Sequence, residues 1–330
     1  MPTPDQAHNR TEEALAGLEQ RIARIYQQAR DSLAEVVRAY FAAFQERDEQ
    51  MKSRIGTVQN GSVWTEKDYL QWRLNQIGRG ERFRALRDRI AARITNANEE
   101  AMACVNEART GIYALNRNYA AYTIELAAGN VGFTLWDEVT VKRLLREQPD
   151  LMPYYPKPRA VQRGIDLKWG KQQITKAVTQ GILQGKSVWQ IAADLQARVA
   201  EMNRTSAVRA ARTAVTGAQN GGRMDAFLSA RRRGIALQKE WVATLDSRTR
   251  HTHRRLDGEV VDYDRPFSNG CRYPGDPRGR PGEVYNCRCT MAAKVRGVDT
   301  GDGLRRDRYG LLPDMTYAQW ERQKRGEGAT

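Results

Sequence analysis

The chain has 330 residues and a formal net charge of +15, from 54 lysines and arginines against 39 aspartates and glutamates. That length exceeds what one hydrophobic core usually organises, and the charge favours a polyanionic partner such as nucleic acid, with an ordinary solvated basic surface as the alternative. No apolar run approaches the ~20 residues that span a bilayer, and the N-terminal segment lacks the pattern of a secretory signal, so we expect no membrane partner.

Residues 1–148 are predicted to form a region of long helices. Over residues 15–44 the apolar side chains recur at spacings of three and four, which predicts an amphipathic helix that ends before Asn60. A second helical run extends over residues 65–126, with an interruption at residues 78–80. We expect the two helices to pack as an antiparallel hairpin, although amphipathic helices of this length also serve self-association.

A proline-rich segment, REQPDLMPYYPKPR, follows the helical region. Proline removes amide donors and moves its preceding residue out of the helical conformation, so we predict a linker over residues 149–164. Residues 165–234 then form a helical segment. It contains a helix over residues 166–185, a second that opens with a Ser-x-x-Gln capping box at Ser187, and a third over residues 205–233.

Residues 235–298 are predicted to form a small basic α+β core. The segments LQKEWVATLD and VYNCRCTMAAKV read as strands, and LDGEVVD reads as a turn that leads into another strand. A Pro/Gly-rich loop, PFSNGCRYPGDPRGRPGE, precedes the last strand, and a tail covers residues 299–330. The fold class is therefore α+β: a long helical N-terminal region, a helical segment, and a small C-terminal antiparallel-sheet domain.

Arginines are concentrated in this second half of the chain. Phosphate contact is the functional interpretation, and a solvated face is an equally good one. The candidate nucleic-acid-binding residues are Arg231, Arg232, Arg233, Arg248, Arg250, Arg254 and Arg255.

The cysteines near the C-terminus allow three interpretations. Cys271, Cys287 and Cys289 could hold zinc together with His253 (or His251), Cys271 could form a disulfide with one of the other two under oxidising conditions, or all three could be packing thiols. If Cys287 and Cys289 lie on one strand, their Cα atoms are about 6.5 to 7 Å apart. A disulfide within that pair is therefore disfavoured.

A series of residues carries a resemblance to a known family. These residues are Trp241, Asp246, Arg248, Arg250, His253, Leu256, Asp257, Gly258, Pro274, Gly275, Asp276, Asn286, Cys287, Arg288 and Cys289. The segments GILQGKSVWQIAADL, AARTAVTGAQN and LLPDMTYAQW add to it. Over roughly residues 165–320 the chain resembles the Mu F-like phage head morphogenesis proteins, also called minor head or minor capsid proteins. We interpret Trp241, Asp246, Asp257, Gly258 and Asn286 as structural members of the motif, with Asp246 and Asp257 as candidate partners of His253.

The resemblance implies a structural protein without catalytic residues, located in the virion inside the phage head. It implies the portal protein and procapsid components as partners, and a role in procapsid assembly and in DNA packaging or ejection. Double-stranded DNA is a further candidate partner, and the host cytoplasm is the expected location during assembly. The alternative is a nucleic-acid-processing, metal-dependent hydrolase that uses the region from His251 to Cys289, although no carboxylate or nucleophile completes an orderly catalytic set there.

Overall fold

The structure is a computed structural model that describes residues 5–148, 152, 167–297, 305–307, 310–312 and 316–326. The helices are α1 (Gln6–Ser53), α2 (Glu66–Gln76), α3 (Gly80–Ala128), α4 (Glu138–Glu147), α5 (Leu167–Leu183), α6 (Val188–Arg232), α7 (His251–Arg255), α8 (Pro281–Val284) and α9 (Tyr317–Lys324). The strands are β1 (Val58–Gln59), β2 (Ser62–Val63), β3 (Leu237–Val242), β4 (Val260–Asp262), β5 (Thr290–Val295), β6 (Arg305–Asp307) and β7 (Gly310–Leu312). Long helices followed by a small antiparallel sheet confirm the predicted α+β class.

None of the described helices combines the length and apolarity needed to cross a bilayer.

The breaks between the N-terminal helices follow from local backbone chemistry. β1 and β2 form a two-residue hairpin whose turn residues, Asn60 and Gly61, both have positive φ. Thr65 then begins α2 with a capping box that it shares with Asp68. Gly80, with φ of +84°, marks the start of α3.

The helical segment after the proline-rich stretch differs from the prediction. Residues 188–232 form one continuous helix, so the prediction of two helices divided near residue 205 is wrong. The residues between them include no glycine or proline, and nothing interrupts the backbone hydrogen bonds. The Ser187 capping box is confirmed: the Gln190 amide donates to Ser187 Oγ and the Ser187 amide donates to Gln190 Oε1. The predicted linker, except for Met152, lies outside the described residues.

The chain divides into two compact units, each assembled from separate stretches of sequence. One comprises residues 20–103 and 156–208, and the other comprises residues 1–19, 104–155 and 209–330. The two units are defined by contacts in space, whereas the domain ranges predicted from the sequence are consecutive stretches of chain. The predicted ranges therefore remain a prediction.

In the unit formed by residues 20–103 and 156–208, α1 and α3 run antiparallel. Tyr26 of α1 donates a hydrogen bond to Asn98 near the middle of α3, whereas Phe44 near the end of α1 contacts Arg82 near the start of α3. Apolar side chains from α5 and the first part of α6 complete the core. Its members include Phe41, Ile90, Ile94, Ile174, Val178, Ile191 and Leu195.

The unit formed by residues 1–19, 104–155 and 209–330 contains the main sheet. β3 lies in the centre and pairs antiparallel with β4 and β5. Alternate residues of β3, namely Leu237, Lys239 and Trp241, are buried, as expected for a strand with one covered face. The second half of α3, the second half of α6 and α9 supply the aromatic core around Tyr122, Phe227 and Trp320.

Gly222 of α6 packs against the backbone of α3. A Cβ atom at this position would lie 2.3 Å from the carbonyl oxygen of Tyr113. Such a contact forces one helix to move, so only glycine permits this close approach. Gly17 of α1 is different, because a Cβ atom there meets nothing within 4 Å.

These two glycines generate a matched prediction. Gly222→Ala should lower the free energy of unfolding by about 1–3 kcal/mol through overpacking. Gly17→Ala should raise it by about 0.5–1 kcal/mol, because alanine favours the helix over glycine. Chemical denaturation of both variants checks the pair. Equal effects of the two substitutions would contradict the close packing at Gly222.

Candidate metal centre

One face of α6 organises the backbone that carries the two neighbouring cysteines. We call Thr213, Thr216, Gln219, Asn220 and Arg223 the polar face of α6, since their spacing places them along one side of a helix. We call residues 286–291 the cysteine segment.

Each residue of the polar face contacts the cysteine segment in turn. The Asn286 amide donates to Thr213 Oγ1 at 2.9 Å. Thr216 donates to the Cys287 carbonyl at 2.5 Å, and Asn220 donates to the Cys289 carbonyl at 3.1 Å. Gln219 and Arg223 continue the series to the Thr290 hydroxyl and the Met291 carbonyl, at 2.8 and 2.9 Å. Side chains of α6 therefore occupy hydrogen-bonding positions that a strand ladder would otherwise fill.

The predicted third strand is accordingly shorter than its sequence pattern indicated. Pro281 begins the short helix α8, and Asn286 adopts a left-handed conformation with φ of 57°. The strand begins only at Thr290, so both cysteines precede it and the prediction that the strand includes them is wrong. Proline is favourable at a helix start, and asparagine adopts the left-handed conformation more readily than most residues. These two local preferences prevent a continuous strand in the residues that precede Cys287.

Three buried side chains converge just before β5. We call His253, Cys287 and Cys289 the Cys/His cluster. His253 Nδ1 lies 3.6 Å from Cys287 Sγ and 3.5 Å from Cys289 Sγ, and the three ligand atoms are all within 4.8 Å of one another. Each of the three residues is 2% exposed. Trp241 packs edge-on against the His253 ring, with ring centroids 5.3 Å apart.

The other nitrogen of His253 faces a carboxylate. Nε2 lies 3.1 Å from Glu283 Oε2, a distance typical of an ion pair, although the contact lacks the alignment of a hydrogen bond. Glu283 also accepts a hydrogen bond from Asn269 at 3.3 Å. The predicted partners Asp246 and Asp257 are wrong for His253, because Asp246 pairs with Arg288 and Asp257 accepts from the Ala243 amide.

The two thiols of the cluster differ in acidity. A hydrogen bond from Cys287 lowers the pKa of Cys289 below its usual range, against the opposing effect of burial, and His253 lowers it further. The same shared proton raises the pKa of Cys287. Two cysteine sulfurs beside an imidazole nitrogen are the kinds of donor atom that zinc prefers.

Cys271 lies apart from this cluster. It is fully buried in the same apolar core, but its sulfur is not one of the converging ligand atoms, which belong to His253, Cys287 and Cys289. Burial, and then the carboxylates of Asp276 and Glu283, raise the pKa of Cys271 to about 11. All four cysteines of the chain are free thiols in the structure.

The remaining motif residues have structural positions. Trp241 is fully buried in the centre of the small core, and Gly258, with φ of +76°, turns the chain into β4. Asp246 accepts a hydrogen bond from Arg288 at 2.7 Å and forms an ion pair with the same guanidinium at 2.6 Å, and these contacts lower the pKa of Asp246. His251 is exposed while His253 is buried, so the two histidines do not form one site.

Sequence reasoning missed Glu283 and the polar face of α6. Glu283 is separated from His253 by 30 positions and has no motif of its own. The polar face had a detectable signal: polar residues recur at helical spacing inside an alanine- and glycine-rich segment, where an apolar stripe would be usual.

The seven candidate arginines form two groups. Arg231, Arg232 and Arg233 are exposed where α6 ends, before β3 begins. Arg248, Arg254 and Arg255 are exposed after β3 ends, and the half-buried Arg250 donates to the Tyr285 carbonyl. Since the six residues of β3 extend ~20 Å, the two groups lie at opposite ends of that strand.

The Pro/Gly-rich loop is held by a buried carboxylate. Asp276 is 1% exposed and accepts hydrogen bonds from the Arg272 amide, the Arg278 amide and the Arg272 guanidinium. Burial opposes its ionisation, but these hydrogen bonds outweigh that effect and lower the pKa of Asp276. The loop is therefore ordered around one negative charge.

Comparison with known proteins identifies the family. The model of the phage Mu protein F-like family matches residues 172–292, which include the polar face of α6, the Cys/His cluster and Glu283. The chain is also 30% identical over 236 residues to the minor head protein GP7 of Bacillus phage SPP1, which covers 67% of this chain and 72% of that protein. The chain belongs to the Mu F-like family of phage head morphogenesis proteins.

Two further relatives share smaller segments. An NAD(+)–arginine ADP-ribosyltransferase EFV of Enterococcus faecalis is 35% identical over 153 residues, which is 45% of this chain and 31% of that protein. An uncharacterised protein of Haemophilus influenzae is 29% identical over 120 residues, 36% of this chain and 24% of that protein. No solved structure matches the chain.

The Asp276 carboxylate leads to a pH-dependent prediction. Asp276→Asn should lower the free energy of unfolding at pH 7 by about 1–3 kcal/mol, because buried donors lose a charged acceptor. The folded-state pKa is lowered, so this contribution is complete above the ordinary aspartate value of ~3.9 and disappears as the pH falls through the lower folded value.

Denaturation of wild type and Asp276→Asn across that pH range measures the difference. The control is Asp264→Asn, which changes an exposed aspartate in the same part of the chain. A constant difference between wild type and Asp276→Asn down to the lowest pH would contradict the role of the charge.

Proposed function

We propose that this protein acts as a minor head protein inside the phage head, near the portal, during procapsid assembly. We further propose that it is part of the virion and meets the portal protein in the host cytoplasm as the procapsid forms. The observation that carries the proposal is the match to the SPP1 minor head protein, because it extends over 72% of that protein and is not confined to one motif.

The buried chemistry of this protein supports a structural role over a catalytic one. A hydrolase that acted through His253, Cys287 and Cys289 would have to admit a nucleic acid to these side chains, and each is 2% exposed. The ADP-ribosyltransferase relative does not favour an enzyme either. The shared segment is 31% of that protein, and the activity in its name belongs to the whole protein and is not assigned to that segment. We therefore propose that the chain has no catalytic activity of its own.

Contact with packaged double-stranded DNA is the second part of the proposal. The exposed arginines at the two ends of β3 have solvent-accessible side chains. Within the described part of the chain none of them forms an ion pair with a carboxylate, as Arg288 does with Asp246. Arginine guanidinium groups contact phosphate well and release condensed counterions on binding. Arg250 is excluded from the proposed contact surface because it is half-buried and donates to the Tyr285 carbonyl. Arg254 also donates to a carbonyl, that of Asp246, but its side chain is exposed.

Co-purification with the cognate portal protein and procapsids tests the assembly role. The protein should appear in procapsids in fewer copies than the major capsid subunit, and it should bind isolated portal protein in the absence of capsid. A matched control is an unrelated protein of similar size and net charge. If this protein and the control protein co-purify with portal and procapsids at the same low level, charge alone drives the association and the proposal is wrong.

The salt dependence of DNA affinity should report how many arginines contact phosphate. Replacing Arg248, Arg254 and Arg255 together by alanine should reduce the slope of log affinity against log salt by about 2 to 3, since each phosphate contact contributes ~0.9. The triple replacement of Arg231, Arg232 and Arg233 measures the other end of β3 separately.

The matched control removes the same charge elsewhere. Arg24, Arg38 and Arg47 are exposed on α1, and their triple replacement by alanine lowers the net charge equally. Slopes measured by titration of short duplexes at several salt concentrations should be unchanged in this control. If all three triple variants lose the same slope, general charge attraction replaces the two arginine groups as the explanation.

A further inference from the structure

The Cys/His cluster has the dimensions of a metal site. Zinc binds cysteine sulfur at ~2.3 Å and histidine nitrogen at ~2.0–2.1 Å, so a tetrahedral ion separates a sulfur and a nitrogen ligand by ~3.6 Å. The two distances from His253 Nδ1 to the sulfurs of Cys287 and Cys289 are 3.6 and 3.5 Å. The side chains therefore need little movement to hold an ion.

The surroundings of the cluster also fit a metal ligand set. A histidine that binds a metal through one ring nitrogen usually presents the other to a carboxylate, which fixes the ring orientation and the tautomer. Glu283 occupies this position, with Oε2 at 3.1 Å from Nε2 of His253. In the tautomer that carries its proton on Nε2, the lone pair of Nδ1 faces the two sulfurs.

The backbone contributes to the same arrangement. The Cys289 amide donates to Cys287 Sγ at 3.4 Å, which fixes the position of that sulfur. The polar face of α6 holds the carbonyls of both cysteines, so the segment is fixed before any ion arrives. Preorganised ligands reduce the ordering cost of binding.

We propose that this chain binds one Zn²⁺ through Nδ1 of His253 and the sulfurs of Cys287 and Cys289, with a water molecule as the fourth ligand and Glu283 as a positioning residue. Cys271 is not a ligand in this proposal. The ion would connect α7 to the cysteine segment. Its ligands His253 and Cys287 are 34 residues apart along the chain. Its role is to stabilise a core built on a three-stranded sheet and much irregular backbone.

Metal content of the full-length protein is the first test. Protein purified under reducing conditions without chelator should contain about one zinc per chain by elemental analysis. Removal of zinc and addition of Co²⁺ should produce sulfur-to-cobalt charge-transfer absorption, which a packed pair of thiols without metal does not show. A folded chain that binds neither zinc nor cobalt would overturn the proposal.

Serine variants of the cysteines identify the ligands. Cys287→Ser and Cys289→Ser should each lose the cobalt absorption and at least a hundredfold in zinc affinity. Cys271→Ser is the matched control, because that residue is equally buried in the same core and should retain both properties. Loss of zinc from Cys271→Ser would show that the ligand set is different from the one proposed.

A ligand variant can fail to fold, so Glu283→Gln provides a second route. It keeps all three ligands and should raise the zinc Kd by about 10–100-fold, as removal of an outer-shell partner does. The melting temperature of the metal-free variant should match that of metal-free wild type. An unchanged Kd would refute the positioning role, and an equal drop in stability with and without zinc would show that Glu283 acts only in folding.

Discussion

The hydrogen bonds between the polar face of α6 and the cysteine segment are the interaction on which the rest of the C-terminal core depends. An extended segment normally satisfies its amides and carbonyls by pairing with another strand. Here the residues before β5 are irregular, and Thr216 and Asn220 supply donors to the carbonyls of Cys287 and Cys289 instead. Because buried backbone groups without partners are costly, this helix face determines where the chain can enter the sheet as β5.

Arg223 extends the same constraint beyond the cysteine segment. Its guanidinium contacts the Met291 carbonyl of β5, the side chain of Asn116 on α3 and the carboxylate of Asp5. One buried cation therefore connects two helices, the sheet and the residues just before α1. Planar donors in several directions suit arginine for this position, and lysine could not replace it with the same geometry.

The buried and exposed chemistry of the protein serve different purposes. The histidine and cysteines that first suggested catalysis lie beneath the surface, where they can hold an ion or pack but cannot meet a polymer. The arginines lie at the surface on either end of β3, where they can meet one. The proposed roles in head assembly and DNA contact need both: a small core that keeps its shape, and an exposed surface that carries positive charge.

Sequence alone determined the elements whose signals are local. The helical spacing of apolar residues predicted α1 and α3, the Ser187 capping box predicted the start of α6, and the segment LQKEWVATLD predicted β3. These patterns act between residues a few positions apart, so they can be read without knowing the fold. The tertiary structure decided which groups meet across long separations: Glu283 with His253, and Thr216 with the Cys287 carbonyl 71 residues away. The strand signal of VYNCRCTMAAKV failed for the same reason, because the carbonyls of its first half bond to a helix face whose position no local pattern specifies.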